Sequence, residues 1–328
     1  MKPRYLIVAD PVATLNPKFD LGVCVSQHLL ARGIEVDYLD LVATDPDQPT
    51  DRYLKTLPVQ PVRSADRFRT PFWELGPIHP ASVEEYQVIL QRKDPPVDER
   101  FVAYCRHFEK APSRILQINR PPATYQLSEH TVHLRYPEYA APTWVCETWP
   151  EFLEAVRRQS PEAVAKPLGT YCGVGVTFLP PDAEEPTLRA FWEKWGPRVT
   201  VQPFLKEIEE TGDLRILTIG TRVLGAVLRV PQRGSRLANL HAGGRPAYLE
   251  PTPRQLEACR TIAEDLNSLG LYLLGHDFIG EYVTEVNFTS PTLVIQISDV
   301  MGKRADLELV EELERMRTGL AGESGFQS

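Results

Sequence analysis

The alternation of hydrophobic and polar positions predicts an α/β unit near the N-terminus. An apolar run at residues 5 to 9 ends at Asp10, which is typical of a buried strand closed by a turn. Residues 23 to 31 have helical spacing, and residues 34 to 41 alternate like a half-buried strand. Residues 43 to 80 lose this periodicity and predict a long irregular excursion packed on the scaffold.

The alternation of strands and helices then resumes. Strands are predicted at 86 to 91 and 114 to 119, around a helix near 101 to 108. Such an order is typical of a doubly wound parallel sheet that covers about residues 1 to 120.

Polar residues follow several of these predicted strands. Because ligands bind beyond the carboxyl ends of strands in such sheets, Asp10, Arg92 and Asn119 are candidate site residues. Turn chemistry is the alternative interpretation of all three, and for Asn119 we favour it.

Beyond Asn119 the pattern predicts a small α+β module followed by antiparallel strands and helices. Gly220 marks a hairpin turn, and a helix over 256 to 269 ends at Gly270. A charged helix begins near Asp306. The other predicted elements are a helix at 151 to 158 and strands at 143 to 146, 163 to 167, 174 to 178, 199 to 202, 214 to 219, 222 to 230, 271 to 279 and 282 to 287.

Composition and charge narrow the function classes. With 36 Lys plus Arg against 44 Asp plus Glu the net charge is -8, so we expect neither nucleic acid nor an anionic membrane as a partner. No apolar segment approaches the ~20 residues of a membrane-spanning helix, and the first apolar run is too short for a secretory signal. Five widely spaced cysteines favour neither a disulfide framework nor a zinc site. We therefore expect a cytoplasmic protein with reduced thiols.

Oxygen donors cluster in the predicted hairpin near the C-terminus. Glu285 and Asn287 are two apart on a strand, so both side chains leave one face, and the hairpin brings Asp277 alongside them. Two carboxylates and an amide carbonyl suit Mg²⁺ that takes its remaining ligands from water and nucleotide phosphates. The polar face of an exposed hairpin is an equally weighted alternative.

A lysine beside a glycine loop is a second candidate. Lys166 leaves an apolar strand and is followed by Gly169, Gly173 and Gly175. An ammonium group next to closely approaching backbone N–H groups can bind phosphate. The spacing is not that of a P-loop, so an ordinary glycine-rich hairpin is the alternative.

The third feature is a local reversal of charge between Asp213 and Glu250. This stretch holds six arginines and no carboxylate, and it includes a turn-rich segment able to close over an anionic ligand. A solvated basic face is the alternative, and nucleic acid is poorly supported because no aromatic residues are interleaved for stacking. The six are Arg215, Arg222, Arg229, Arg233, Arg236 and Arg245.

Five motifs follow one another along the chain after Asp10-Pro11 and Arg92-Lys93-Asp94-Pro95-Pro96. The five are Lys166-Pro167-Leu168, Val201-Gln202-Pro203-Phe204-Leu205, Gly212-Asp213-Leu214-Arg215-Ile216-Leu217, Ala238-Asn239-Leu240-His241-Ala242-Gly243-Gly244, and Asp277 with Thr284-Glu285-Val286-Asn287-Phe288-Thr289-Ser290-Pro291. Their order and spacing resemble the bacterial glutathione synthetases of the ATP-grasp superfamily.

The resemblance implies an α/β ATP-grasp fold that clasps ATP between two sheets. It divides the chain into a Rossmann-like N-terminal substrate domain (1–120), a small α+β lid (121–200), a C-terminal α+β catalytic domain (201–320) and a tail (321–328). By family analogy it also implies a homotetramer.

The resemblance further implies a carboxylate–amine ligase. ATP would phosphorylate the carboxylate of γ-glutamylcysteine, and glycine would attack the acyl phosphate to give glutathione, ADP and phosphate. Asp277, Glu285 and Asn287 would bind Mg²⁺, with Mn²⁺ as an alternative, and Arg215 would stabilise charge on the transferred phosphoryl group.

The remaining roles implied by the resemblance concern binding. Lys166 would contact the α-phosphate and the adenine edge, and the glycine loop would act as a lid that excludes water. ATP would also be bound by His130, Gly169, Gly173, Gly175, Gln202, Phe204 and Leu205, the last three forming a hinge. The peptide substrate would be bound by Arg92, Arg229, Arg233, Asn239 and Ser290.

Three departures from the family pattern keep alternatives open. His130 stands where the family has a phosphate-binding lysine, and a mostly neutral imidazole is a weaker partner. Thr170, Tyr171 and Cys172 add bulk that should stiffen the glycine loop. Leu237 replaces an arginine, and Arg236 one position earlier could redirect substrate recognition.

The alternatives are a divergent ATP-grasp ligase for a different amino acid or peptide, and a pseudoenzyme that binds ATP as a structural or regulatory ligand. Both keep small molecules as partners: ATP, a short peptide and an amino acid.

Overall fold

The computed structural model describes residues 2–170, 173–232, 236, 238 and 243–324. Within these residues the strands form three sheets. No helix of this part of the chain combines the length and the apolar character needed to cross a membrane.

The N-terminal sheet has seven strands: β1 (Arg4–Ala9), β2 (Glu35–Asp40), β3 (Leu57–Ala65), β4 (Trp73–Leu75), β5 (His79–Ala81), β6 (Val88–Arg92) and β7 (Leu116–Ile118). Their order is β4-β3-β2-β1-β6-β7, and β5 also pairs with β3. The four strands β2, β1, β6 and β7 run parallel, as the sequence predicts.

Helices cover both faces of this sheet because side chains alternate along β1. Tyr5 and Ile7 belong to the hydrophobic cluster that includes helix α1 (Leu21–Ala31). Leu6 and Val8 belong to a second cluster that includes α3 (Glu99–Phe108). The period of two along the strand therefore supplies an apolar surface for each helix layer.

The prediction of an irregular excursion at residues 43 to 80 was wrong. This stretch contains α2 (Thr50–Lys55) and the strands β3, β4 and β5. Proline lacks an N–H donor, so Pro58 and Pro61 obscure the strand pattern. The carbonyl oxygen of Pro61 still accepts a hydrogen bond from Gly76 N–H at 2.8 Å, which keeps the strand in the sheet.

The second sheet has four antiparallel strands: β8 (Trp144–Cys146), β9 (Ala163–Pro167), β10 (Thr177–Leu179) and β11 (Val199–Pro203). Their order is β10-β9-β11-β8. Helix α4 (Pro121–Gln126) precedes this sheet, and α5 (Trp149–Arg157) and α6 (Glu185–Trp195) contribute to its core. We call it the lid sheet.

The third sheet has five antiparallel strands: β12 (Asp213–Ile219), β13 (Arg222–Val230), β14 (Arg245–Ala247), β15 (Leu273–Ile279) and β16 (Tyr282–Asn287). Their order is β14-β13-β12-β15-β16. Helix α7 (Glu207–Glu210) leads into β12, and α8 (Pro253–Ser268) packs on one face. Helices α9 (Val294–Met301) and α10 (Ala305–Ser324) pack on the other face.

The proposed division of the chain into domains stays a prediction. Helix α10 includes residues 321 to 324, which the sequence analysis assigned to a tail. Residues 325 to 328 lie outside the described part of the chain.

Asn119 connects the N-terminal sheet to the third sheet. Its Nδ2 donates to the carbonyl oxygens of Leu273 and Phe288 at 2.8 and 2.7 Å. Its Oδ1 accepts from the N–H groups of Tyr272 and Leu273 at 2.7 and 2.8 Å. The favoured interpretation as turn chemistry was wrong, since these partners lie far along the chain.

Replacing Asn119 with Ala is expected to lower the free energy of unfolding by about 3 kcal/mol, because four backbone groups lose buried partners. Urea denaturation measures the change. Asn267→Ala in α8 is the matched control, since its Oδ1 has no hydrogen-bond partner within the described residues. Equal losses in the two variants would contradict the connecting role of Asn119.

Candidate active site

A cavity of about 630 Å³ lies between the lid sheet and the third sheet. Most of the predicted site residues line it, although they come from distant parts of the chain. They are His130, Lys166, Gly169, Gly173, Gln202, Phe204, Leu205, Arg215, Arg229, Asp277, Glu285, Asn287 and Ser290. Arg233 and Asn239 lie outside the described residues.

Strand register brings the charged groups of this cavity together. Asp277 on β15 lies opposite Arg215 on β12 and opposite Glu285 on β16. Asn287 lies two positions further along β16 and also lines the cavity. The predicted convergence of Asp277, Glu285 and Asn287 on one site is therefore consistent with the geometry.

Two arginines bind the carboxylate of Asp277. Arg215 donates from Nε and Nη2 to the two oxygens, each at 2.7 Å, and Arg229 Nη2 lies 2.9 Å from Oδ2. Asn287 Nδ2 also donates to Oδ2 at 3.2 Å. Burial alone raises the pKa of Asp277, but Arg215 and Arg229 outweigh it and hold the pKa well below its usual range.

Asp213 is a site residue that the sequence analysis did not single out. It lies two positions before Arg215 on β12 and lines the same cavity. Arg229 donates a hydrogen bond to its Oδ2, while burial raises the pKa of this carboxyl group. The period of two along a strand that already held a candidate arginine was the signal that could have found it.

The six-arginine stretch is not a free basic surface. Arg215 and Arg229 pair with Asp277, and Arg222 pairs with Glu308 at 3.2 Å. Arg236 pairs with Glu162 at 2.7 Å and with Glu209 at 2.9 Å. Acidic groups from outside the stretch therefore neutralise much of its charge, which leaves a smaller cationic surface for an anionic ligand than the sequence predicts.

Lys166 lies on β9, opposite the acidic groups of the third sheet. Burial lowers the pKa of its ammonium group, and the negative charges of Glu285, Asp213 and Asp277 act in the opposite direction. An ammonium group in this position can bind phosphate across from the carboxylates of the third sheet.

The glycine loop begins and ends with a backbone that favours glycine. Gly169 has φ of +83° and Gly175 has φ of +79°. Gly175 does not line the cavity, and a Cβ there would lie 2.7 Å from Pro167 Cγ. This close approach gives a packing reason for glycine at position 175, and its predicted contact with ATP stays a prediction. Tyr171 and Cys172, predicted to stiffen the loop, lie outside the described residues.

His130 and Glu129 connect this loop to β16. His130 Nε2 lies 2.6 Å from the carbonyl oxygen of Thr170. Glu129 Oε1 accepts from the N–H groups of Phe288 and Thr289, each at 2.6 Å. Burial raises the pKa of Glu129. The sequence analysis assigned no role to this carboxyl group, although it predicted one for its neighbour His130.

The buried imidazole of His133 makes folding stability depend on pH. Burial lowers its pKa to about 3, with Lys166 and His130 adding to the shift. Neutral His133 contributes fully to the free energy of unfolding above the pKa of about 6.5 that it has in the unfolded chain. This contribution is lost as the pH falls toward 3. Between pH 7 and pH 5 the loss is about 2 kcal/mol.

Replacing His133 with Leu is expected to remove that part of the pH dependence. Urea denaturation at pH 7 and pH 5 measures it for both proteins, and other titrating groups cancel in the difference. Equal pH slopes for the wild type and His133→Leu would contradict the assignment.

The hinge segment after β11 uses several of its polar groups internally. Gln202 Nε2 donates to Thr143 Oγ1 at 2.7 Å, and Phe204 N–H donates to the carbonyl oxygen of Glu162 at 3.0 Å. The rings of Phe204 and Phe178 meet edge to face at 5.9 Å and line one end of the cavity. We call this the hinge end.

Arg92 is not among the residues that line the cavity, and its predicted contact with a peptide carboxylate stays a prediction. It is buried, and within the described residues its Nε and Nη1 have no hydrogen-bond partner. Burial lowers the pKa of its guanidinium, against the charges of Asp20 and Asp94. Its neighbour Lys93 pairs with Asp10 at 2.9 Å, so this loop is ordered by internal ion pairs.

Two family models match almost the whole chain. The N-terminal domain of prokaryotic glutathione synthetase matches residues 4–124, and the ATP-grasp domain of the same family matches residues 129–302. The chain belongs to the prokaryotic glutathione synthetase family. Enzymes of this family are ATP-dependent ligases that form a carbon–nitrogen bond, and ATP-grasp ligases use ATP with a divalent metal ion.

Curated relatives extend the family assignment over the full length. A glutathione synthetase of Parasynechococcus marenigrum is 33% identical over 324 residues, covering 95% of this chain and 99% of the relative. One of Thermosynechococcus vestitus is 32% identical over 307 residues, covering 90% and 95%.

Solved structures share the ATP-grasp fold at low identity. The D-cycloserine synthetase DcsG has a TM-score of 0.60 at 15% identity, covering 94% of this chain and 99% of the other. The ATP-grasp ligase PsnB, in complex with a phosphomimetic precursor variant, Mg and ADP, has a TM-score of 0.58 at 16% identity, covering 97% and 100%. The predicted fold class is confirmed.

Proposed function

We propose that this member of the family joins γ-glutamylcysteine to glycine and converts ATP to ADP and phosphate. The observation that carries the proposal is one cavity where Arg215, Lys166 and the acidic groups of β15 and β16 meet. A phosphoryl transfer needs positive groups around the transferred phosphate and carboxylates that hold a divalent ion. This cavity supplies both.

The reaction proceeds in two steps through an acyl phosphate. A carboxylate oxygen of the peptide attacks the γ-phosphorus, and the bond to the oxygen that bridges to ADP breaks. The amine of glycine then attacks the acyl carbon and loses a proton, and phosphate leaves as the C–N bond forms. Because water would also attack the acyl phosphate, the glycine loop acts as a cover for the site.

The charged residues take separate roles in this scheme. Arg215 stabilises negative charge on the transferred phosphoryl group, and Lys166 binds the phosphates from the lid sheet. His130 holds the glycine loop through Thr170, and in this scheme it would lie beside the phosphates. Arg229 and Ser290 bind the peptide. The buried Oγ of Ser290 has no hydrogen-bond partner among the described residues, which suits a carboxylate or amide of the substrate.

The donor set of Asp277, Glu285 and Asn287 fits Mg²⁺, because two carboxylates and one amide oxygen are hard ligands. When bound, Mg²⁺ neutralises phosphate charge and orients the phosphates. The same donors accept Mn²⁺. Around this site Arg215 and Arg229 hold Asp277 in place.

A substrate panel tests the proposal. The protein is incubated with Mg-ATP, γ-glutamylcysteine and each amino acid in turn, and ADP and the peptide product are measured. Glutathione formed only with glycine would support the proposal. ADP and a different product would favour a divergent ligase, and Mg-ATP binding without ADP formation on any pair would favour a pseudoenzyme.

A further inference from the structure

Arg236 contacts side chains from separate elements at the hinge end of the cavity. Its guanidinium carbon lies 5.0 Å from the ring centroid of Phe178 and 4.8 Å from that of Phe204. Its Nη1 donates to Glu162 Oε1 at 2.7 Å, and its Nε donates to Glu209 Oε1 at 2.9 Å. One side chain therefore makes two ion pairs and two aromatic contacts.

These partners belong to both sides of the cavity. Glu162 directly precedes β9 of the lid sheet, and Phe178 lies on β10 of the same sheet. Glu209 lies on α7, which leads into the third sheet. Arg236 thus ties the two sheets together at the end where the hinge connects them.

The chemistry of this contact requires arginine. A guanidinium is planar and carries several N–H donors, so it can bind two carboxylates at its edge while its face packs on rings. A guanidinium can also stack on a nucleobase, and Arg236 lines the cavity with its side chain partly exposed. A lysine at this position would keep the charge but lose the fork and the stacking surface.

We propose that Arg236 is a positioning residue for ATP, which fixes the hinge end in the shape that receives the base and presents a cationic face to that base. The identity of the nucleotide rests on the proposed function. The sequence analysis left open that Arg236 could redirect substrate recognition; its place at the hinge end favours an effect on the nucleotide.

The test compares Arg236→Ala and Arg236→Lys with the wild type. Calorimetry with Mg-ATP is expected to show about tenfold weaker binding for Arg236→Ala, since two partly exposed ion pairs and two aromatic contacts are lost. Arg236→Lys regains part of the affinity. In turnover assays the KM for ATP rises by a similar factor, whereas kcat and the KM for the peptide change less than about twofold.

Arg222→Ala is the matched control, because Arg222 lies at the start of β13 and pairs with Glu308 away from the cavity. Its Mg-ATP affinity is expected to equal that of the wild type. Unchanged or tighter Mg-ATP binding by Arg236→Ala would overturn the proposal, as would equal rises in the KM for peptide and ATP. The calorimetric result needs no turnover, so it holds whichever substrates the chain joins.

Discussion

Replacing Arg215 with Ala is expected to lower kcat for ADP formation about a thousandfold, because the transferred phosphoryl group would lose the positive charge that we propose Arg215 supplies. Asp277 keeps its contact with Arg229, so the third sheet retains part of its buried charge pairing. Single-turnover assays with Mg-ATP and peptide measure the rate, and circular dichroism confirms that the variant is folded.

The Arg215→Lys variant shows whether a positive charge is sufficient or whether the two-pronged contact with Asp277 is also needed. It keeps one positive charge but cannot bind both oxygens of Asp277, so we expect an intermediate rate. Arg222→Ala on the neighbouring strand serves as the control for loss of an arginine. A rate for Arg215→Ala within about threefold of the wild type would refute the role of Arg215 in phosphoryl transfer.

Replacing Glu285 with Gln is expected to raise the Mg²⁺ concentration for half-maximal activity at least about a hundredfold. Loss of a residue that only supports a ligand already costs 10- to 100-fold in metal affinity, and loss of a ligand should cost no less. A titration of ADP formation against Mg²⁺ at saturating ATP measures the change.

Glu281→Gln is the matched control for this experiment. Glu281 lies in the turn of the same hairpin, is exposed and accepts a hydrogen bond from Thr252. Its Mg²⁺ dependence is expected to equal that of the wild type. An unchanged Mg²⁺ dependence in Glu285→Gln would remove Glu285 from the metal site.

The sequence predicted most of the elements and most of the cavity lining, for local reasons. Strand periodicity placed Glu285 and Asn287 on one face of β16, and the motif order identified Lys166 and Arg215. The elements that it missed include β3, where Pro58 and Pro61 hide the alternation. A strand whose pattern is interrupted is recognised only when its neighbours in the sheet are known.

Sequence reasoning gave Asn119 the wrong surroundings. It left this residue in a turn, whereas its side chain is buried and forms hydrogen bonds to the third sheet. Burial of a polar side chain depends on which distant segment covers it, and the residues next to Asn119 in the sequence do not show which segment that is.

By itself the sequence determined the fold class and the chemical types of the site residues, because periodicity and motif spacing are properties of the chain. Only the tertiary structure decided which charges neutralise each other. The pairing of Asp277 with Arg215 follows from the register between β12 and β15, and Arg236 meets Glu162 across two sheets. Such pairings depend on three-dimensional packing, since the partners are far apart along the chain. The sequence offers several carboxylates that could pair with each arginine, and it does not show which of them lies nearby.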